Sequence, residues 1–294
     1  MDGPGIVVTR HESASAAWQM ASRPPHPCLR GHVVSYSGYR EDAAVRVRRR
    51  EAPSGQVVLI LGFGAPLRVL PPPDRLASVG AYGSFLAGLG DRPTITEHAG
   101  GQRGIQVDLT PLGAYALLGM PMSEVTNAVV HLTDLFGPEA DLLVERLAAA
   151  PGWAARFTLL DEVLASRIEA GPVPSPEVVR AWHRLQQTAG AVGVAELASE
   201  VGWSRRHLVT RFREQIGLAP KVAARVLRFE RAVRLLTRPD TPPWAELALA
   251  CGYYDQAHLN REFQALAGCT PTALLSGDCP IAADDPPAAL AAPA

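Results

Sequence analysis

Two stretches near the C-terminus place polar side chains at helical spacing directly after a residue suited to cap a helix. Ser204 precedes the first stretch and Asp255 the second, and both residue types accept hydrogen bonds from the free N–H groups of a helix start. The candidate contact residues on the two outer faces are Arg205, Arg206, Val209, Thr210 and Arg213, and Gln256, Ala257, His258, Asn260 and Arg261. Arginine, glutamine and asparagine can hydrogen-bond base edges and phosphate oxygens. Both faces are therefore candidate nucleic-acid-binding surfaces.

These stretches belong to an internal repeat. The first copy, LASEVGWSRRHLVTRFREQIGLAP, runs from Leu197 to Pro220, and the second, LALACGYYDQAHLNREFQALAGCTP, runs from Leu247 to Pro271. The offset between matching residues is 50 up to a shared glycine and 51 after it. A fixed internal period indicates one structural unit used twice.

Each copy predicts a short helix, a tight turn and a longer helix. A small residue lets the helices approach, a glycine can take a positive φ in the turn, an aromatic residue fills the core, and an i, i+4 apolar pair turns one face inward. In chain order these are Ala198, Gly202, Trp203 and Leu208 with Phe212, and Ala248, Gly252, Tyr253 and Leu259 with Phe263. His207 is predicted to pack on its turn, and His258 to face DNA.

The segment Lys221–Leu236 between the copies predicts one amphipathic helix, with apolar residues at Ala224, Leu227, Ala232, Leu235 and Leu236. Such a helix would hold the two units at a fixed separation. If that separation matches one turn of B-DNA, about 34 Å, one protomer could contact two successive major grooves. The helix also carries Arg225, Arg228, Arg231 and Arg234, which either form a hydrated stripe with ion pairs such as Glu230–Arg234 or contact phosphates.

This arrangement resembles the C-terminal domain of the AraC/XylS family of bacterial transcriptional regulators, over residues 175–276. The match is most specific in the second unit, where GYYDQAHLNREFQALAGCTP resembles the family signature of glycine, aromatic, x, Asp or Ser, Gln, then L-x-R-x-F, a glycine and a proline. The resemblance implies base-contacting roles for Arg206, Thr210, Gln256, Ala257, His258, Asn260 and Arg261. The first unit departs from it, since Thr210 stands where L-x-R-x-F has arginine, and Arg211 follows 100° round the helix. Thr210 cannot make the bidentate guanine contact that arginine makes.

The N-terminal region mixes strand and helix patterns. Val45 and Val47 alternate with arginines, 57–63 is a continuous apolar run, and Ile105, Val107 and Leu109 alternate again, which predicts antiparallel strands. From Pro138 the period is helical, through Leu142, Leu143 and Leu147 and then Trp153, Phe157, Leu160, Leu164 and Ile168, with a break near Pro151 and Gly152. The second stripe is expected to pack on its own sheet rather than form a dimer seam.

The predicted fold is an α+β domain, antiparallel, β-rich and cupin-like or related, ending in a helical hairpin and followed by an all-α double helix-turn-helix domain. The turn-forming GPVPSP at 171–176 separates an effector-sensing or dimerisation domain, 1–170, from the DNA-binding domain, 175–276. Ser175 is expected to cap a helix with Pro176 in its first position and with Val178, Trp182 and Leu185 facing inward. Residues 277–294, low in complexity after Cys279, are expected to be disordered.

Net charge separates the two parts of the chain. Residues 175–276 hold 13 Lys and Arg against 9 Asp and Glu, a net charge of +4, and the remainder holds 15 against 20, a net charge of −5. The four cysteines lack the spacing of a zinc site or a disulfide scaffold, and the N-terminal histidines are scattered singly. No catalytic residues, no metal and no cofactor are expected. With no leader and no membrane-spanning stretch, a cytoplasmic location is expected and no membrane contact.

The sequence therefore predicts a non-enzymatic, sequence-specific transcription factor, with recognition helices at about 204–216 and 255–267 and an N-terminal domain that modulates its activity. Its predicted partner is double-stranded DNA at an operator or promoter, with RNA polymerase a partner if the protein is an activator. A small-molecule effector and a homodimer are left open. The alternative is a cupin-like small-molecule-binding protein or metal-dependent enzyme whose helical domain is an interaction module.

Overall fold

The chain folds into a β-rich N-terminal part followed by a helical C-terminal part. The computed structural model describes residues 5–12, 16–43, 45–70, 79–238, 240–279 and 281–282. The strands, in chain order, are β1 Val7–Glu12, β2 Ala16–Arg23, β3 Val33–Ala43, β4 Val47–Glu51, β5 Val57–Gly62, β6 Leu67–Leu70, β7 Gly80–Tyr82, β8 Phe85–Ala87, β9 Thr94–His98, β10 Gln102–Leu109, β11 Val129–His131 and β12 Ile281–Ala282. The predicted fold class, antiparallel β-rich and then all-α, is confirmed.

The larger sheet is antiparallel, with the strand order β1-β2-β3-β10-β5-β8-β11. β5 contains the predicted apolar run and lies between β10 and β8, where Val57, Leu59 and Leu61 are fully buried. Ile105 and Val107 on β10 are buried beside it. The two strands that the sequence predicted most clearly thus lie together near the middle of the sheet.

The smaller sheet has the order β12-β4-β9-β6-β7 and is antiparallel except for the β12–β4 pair. Val45, predicted as part of a strand, lies before β4. Arg49 on β4 donates to both carboxylate oxygens of Glu41 on β3, at 2.8 and 2.7 Å. Because Glu41 is buried, this ion pair joins the two sheets in a setting that solvent screens little.

Four helices complete the N-terminal part: α1 Pro111–Leu118, α2 Leu132–Phe136, α3 Glu139–Ala149 and α4 Trp153–Ala170. α3 and α4 form the predicted hairpin, broken at 150–152. On α4, the ring of Phe157 stacks on Tyr36 of β3 with centroids 5.7 Å apart, and Asp161 pairs with Arg23 of β2. The apolar stripe of α4 therefore packs on its own sheet, as predicted.

The C-terminal part is helical. Its helices are α5 Pro176–Gln187, α6 Val194–Glu200, α7 Arg205–Ile216, α8 Pro220–Leu236, α9 Trp244–Ala250, α10 Gln256–Ala267 and α11 Pro271–Leu275. On α5, Val178, Trp182 and Leu185 are buried, as predicted. Across the part of the chain that the structure describes, every helix is too short or too polar to cross a bilayer.

The prediction for Ser175 is half right. Ser175 occupies the N-cap position of α5 and Pro176 follows it, but the hydroxyl of Ser175 makes no capping hydrogen bond. It accepts instead from Nε2 of Gln215, at 2.8 Å, while the Ser175 N–H donates to Oε1 of the same side chain at 2.9 Å. Gln215 is buried, so its amide must find partners inside the protein, and Ser175 supplies them.

The prediction of disorder from residue 277 is wrong for the residues described there. Cys279 is buried and its N–H donates to the carbonyl of Ala273 at 3.1 Å. Ile281 and Ala282 then pair in parallel with Arg50 and Glu51 of β4. The free edge of β4 offers backbone partners that composition alone does not reveal. Residues 283–294 lie outside the described residues.

Candidate nucleic-acid interface

The first repeat copy forms the predicted helix-turn-helix unit from α6 and α7. Gly202 takes φ +73° in the turn, a conformation that favours glycine. Oγ of Ser204 accepts from the N–H of His207 at 3.2 Å, which confirms the predicted N-cap of α7. Sequence features within a few residues of the turn thus specify where α7 begins.

The second copy forms the same unit from α9 and α10. Gly252 takes φ +76° in its turn, and Oδ1 of Asp255 accepts from the N–H of His258 at 2.6 Å. The shorter distance fits a carboxylate acceptor, because a charged acceptor makes shorter hydrogen bonds than a hydroxyl. The predicted cap of α10 is confirmed as well.

Both longer helices are held inward by the predicted apolar pairs. Leu208, Phe212, Leu259 and Phe263 are each fully buried. The ring of Phe212 lies 6.3 Å from that of Trp182 on α5, and the ring of Phe263 lies 4.8 Å from that of Phe229 on α8. With these positions fixed inward, the opposite face of each helix is turned to solvent.

The structure places the candidate contact residues on those outer faces. Exposed residues are Arg205, Arg206, Thr210, Arg213, Gln256, Ala257 and Arg261, and half-buried ones are Val209, His258 and Asn260. The two sets are therefore grouped by unit, as predicted, and accessible to a large partner. Their contacts with DNA remain a prediction.

The arginines of α7 divide into two groups. Among the residues that the structure describes, no ion-pair partner is found for Arg205, Arg206 or Arg213. Arg211, in contrast, donates to Oε2 of Glu214 at 2.6 Å and to Oγ of Ser175 at 3.4 Å. Arg211 thus binds groups of the protein itself. This supports the interpretation that Arg211 does not contact DNA in place of the arginine missing at position 210.

The two histidines near the turns occupy matching places. His207 packs edge-on against Trp203 with ring centroids 4.5 Å apart, and His258 packs in the same way against Tyr253 at 5.3 Å. Nδ1 of His258 also accepts from the N–H of Tyr254 at 3.3 Å. The packing predicted for His207 is therefore present at His258 too, where the sequence predicted a DNA-facing role.

Two arginines of α8, grouped by the sequence with a solvated or phosphate-binding stripe, bind protein partners. Nε of Arg225 lies 2.5 Å from Oε2 of Glu262 on α10. Nη1 of Arg228 donates to the carbonyl of Gly190, in the loop between α5 and α6, at 2.8 Å. A local periodic pattern cannot distinguish such arginines from hydrated ones, because their partners lie 37 and 38 residues away.

The helix-turn-helix units also contact the N-terminal part. α7 lies against α1 and the short 3₁₀ turn at Met122–Glu124. Nη1 of Arg50 on β4 donates to the carbonyl of Ala267 at the end of α10, at 3.0 Å. The N–H of Gly55 donates to Oε2 of Glu230 on α8 at 3.3 Å. Each of the three elements α7, α8 and α10 thus has a contact across the predicted domain boundary at 171–176.

Arginine side chains carry most of the charge on the two outer faces. Within the described part of the chain, no group of three or more His, Cys, Asp or Glu side chains is placed to hold a metal ion. Burial raises the pKa of Tyr253 and the nearby Glu262 raises it further, so the Tyr253 hydroxyl stays neutral. Burial, together with the neighbouring Cys279, also raises the pKa of Cys269 to about 12, so its thiol is protonated at neutral pH.

Two family models match the chain. One, described as a helix-turn-helix domain, matches residues 197–277 and so covers both units with α8 between them. The other, a domain of unknown function designated DUF6597, matches residues 21–131, which include most of both sheets. Residues 132–196, which include α2 to α5, lie between the two matches.

Similar proteins include the uncharacterized HTH-type transcriptional regulator YbfI of Bacillus subtilis (strain 168), 32% identical over 89 residues, which are 30% of this chain and 32% of that protein. The match thus spans about a third of that relative. An AraC-type DNA-binding domain regulator from Chromobacterium violaceum is 24% identical over 36% of this chain and 94% of that chain, with a TM-score of 0.33. ToxT from Vibrio cholerae is 9% identical over 79% and 97% of the two chains, with a TM-score of 0.45. By the first family-model match, residues 197–277 are a helix-turn-helix domain, and AraC-type regulators are among the proteins to which the chain is similar.

Proposed function

We propose that this protein is a sequence-specific DNA-binding transcriptional regulator in which α7 and α10 enter successive major grooves on one side of the duplex. The observation that carries the proposal is the pair of equivalent units, each with a capped recognition helix and an outward polar face. The match of residues 197–277 to a helix-turn-helix family model adds independent support. α8, with 17 residues, is about 26 Å long and joins the two units as one continuous helix.

The charge distribution supports the same function. The net charge of +4 over residues 175–276 gives this region an attraction for phosphate that the remainder, at −5, lacks. Arginines displace condensed counterions from DNA, so binding weakens as salt rises. The site is asymmetric, because the two recognition helices carry different side chains.

The N-terminal part modulates DNA binding in this proposal. The support is physical contact, since Met122 and Thr126 lie against Gly217 at the end of α7, and Arg50 holds the end of α10. A change in the N-terminal part could therefore alter the angle of either recognition helix. A small-molecule effector, a homodimer and, for an activator, RNA polymerase are the proposed partners in this regulation.

Selection of DNA fragments from a random pool by the full-length protein tests the proposal. We expect enrichment of one asymmetric motif with two elements about one helical turn apart. A double variant, Arg206→Ala with Arg261→Ala, should lose the enrichment while its melting temperature stays that of the parent, because both side chains are exposed. Failure of the parent protein to enrich any motif at low salt would contradict the function.

The effector is tested in the same binding assay. Affinity for the selected duplex is measured with and without a library of metabolites. A compound that changes the affinity of the protein for this duplex, and gives no signal in a control without protein, supports modulation of DNA binding. The same titrations are made with an Arg50→Met variant. If the parent and the variant have equal affinity for DNA with every metabolite, the contact of Arg50 with the end of α10 has no regulatory role.

A further inference from the structure

A cluster of side chains at the middle of α8 contacts both helix-turn-helix units. It consists of Arg225 and Arg228 of α8, Tyr253 and Glu262 of the second unit, and Gly190 of the loop that enters the first unit; we call it the α8 junction. The side chains of Arg225 and Glu262 are only 27% and 16% exposed. Their ion pair is therefore screened less than a surface pair and holds α10 against α8.

Arg228 contacts both units with one side chain. Its guanidinium donates to the carbonyl of Gly190 on the first-unit side. Its Cδ lies 3.3 Å from the position that a Cβ on Gly252 would occupy, in the turn of the second unit. Arg228 is thus in contact with the loop that precedes α6 and with the turn that precedes α10.

The loop at Gly190 can reach Arg228 only because it lies directly on α8. Gly190 takes φ +75°, and a Cβ there would lie 2.1 Å from the carbonyl oxygen of Ala224. A Cβ cannot lie this close to an oxygen, so only glycine fits here and the loop backbone packs directly on α8. The first unit is thereby fixed to α8 at Ala224. This residue lies one helical turn before Arg228, which contacts the second unit.

From this geometry we propose that the α8 junction sets the distance and rotation between α7 and α10, and so determines which spacing of the two DNA elements the protein accepts. The inference rests on the proposed function. One base pair added between the elements moves the second by about 3.4 Å and rotates it by about 35°. A rigid pair of recognition helices cannot follow that change, whereas a loosened pair can. Arg228 is then a positioning residue without contact to DNA.

The test compares binding to the selected duplex with binding to duplexes that have one base pair inserted or deleted between the two elements. The parent should prefer the selected spacing by about tenfold or more. Arg228→Met should reduce that preference to about threefold or less, because the methionine keeps the aliphatic packing and loses the hydrogen bond to Gly190. Arg228→Lys keeps a donor and should retain most of the preference. Arg180→Met, the same substitution at an exposed position of α5, should keep all of it.

The spacing preference is the decisive readout, since a general loss of stability lowers affinity for all three duplexes together. Glu262→Gln, a milder change, removes the charge that Arg225 meets and should also reduce the preference. If Arg228→Met is unfolded, Glu262→Gln decides the question. A folded Arg228→Met or Glu262→Gln protein with the parent's spacing preference overturns the inference. A parent that selects no DNA overturns the proposed function, and the inference with it.

Discussion

The two helix-turn-helix units have the same core and different outer faces. Each buries a leucine and a phenylalanine four residues apart and begins its longer helix at a side-chain cap. The first unit presents three arginines without protein partners among the described residues, whereas the second presents one, Arg261, together with Gln256 and Asn260. Packing constrains the core positions in both copies, and the outer positions are free to differ. The difference leads us to expect mainly phosphate contacts from the first unit and mainly base contacts from the second.

The units also differ in how the N-terminal part supports them. α7 packs along α1 and the 3₁₀ turn near its C-terminal end, while α10 receives one arginine, Arg50, at its last carbonyls. A cation at a helix C-terminus is favourable, because it meets unpaired carbonyl groups there. The first unit is therefore braced by packing and the second by a hydrogen bond.

The largest expected effect tests whether the two cores are equivalent. Phe212→Ala and Phe263→Ala should each lower the free energy of unfolding by about 3–5 kcal/mol, because each removes a fully buried ring. Urea denaturation measures the loss. Phe→Leu at the same positions is the matched control, with a smaller loss expected. A large loss at only one of the two positions would break the equivalence.

The next effect concerns base recognition by the second unit. Arg261→Ala should weaken binding to the selected duplex by about 1–3 kcal/mol and relax the preference at one base pair. The reason is the loss of a bidentate contact to guanine, which alanine cannot make. Titrations against duplexes with each base changed in turn measure both quantities. If the variant binds every sequence as tightly as the parent, the assignment of α10 to base recognition is wrong.

The two caps give a smaller and unequal pair of effects. Ser204→Ala and Asp255→Ala should each cost about 1 kcal/mol of stability. The loss should be greater for Asp255, whose charged acceptor lies 2.6 Å from its N–H partner against 3.2 Å for Ser204. Thermal unfolding measures it, and glycine at each position should recover most of the loss. Equal stability of parent and alanine variants would contradict the capping role.

The smallest effect separates two arginines of α7 that are two residues apart. Arg211→Met should leave DNA affinity unchanged and cost about 0.2–0.5 kcal/mol of stability, because the side chain pairs with Glu214 three residues on. Arg213→Met should instead lower the slope of log affinity against log salt by about 1. Affinity measured at several salt concentrations gives both. A reduced slope in the Arg211 variant would show that it contacts phosphate.

Features that depend on nearby residues could be predicted from the sequence. The repeat, both caps, both turn glycines and the inward phenylalanines follow from spacings of a few residues, where local geometry leaves few alternatives. The helix boundaries of α7 and α10 lie within one residue of those predicted. The outward placement of the candidate contact residues follows from the same periodicity.

Features that depend on distant partners could not be predicted. Ser175 bonds Gln215, 40 residues later, although its position at a helix start suggests a cap. Arg225 and Arg228 have protein partners that helical spacing does not distinguish from water. The β12–β4 pairing joins Ile281 and Ala282 to Arg50 and Glu51, which are far away in the sequence. In each case the tertiary structure determines the partner, whereas the local sequence pattern is compatible with several different partners.

The position of β4 between β9 and the much later strand β12 has a consequence for the order of folding. Its partner β12 and the carbonyl that Arg50 meets are made long after β4, the latter 217 residues after Arg50. At about 5–20 residues per second, synthesis of that interval takes roughly 10–40 s. During this time the N–H and C=O groups on the β12 side of β4 have no strand partner. The positive charges of the consecutive arginines at 48–50 oppose pairing of this edge with other nascent chains.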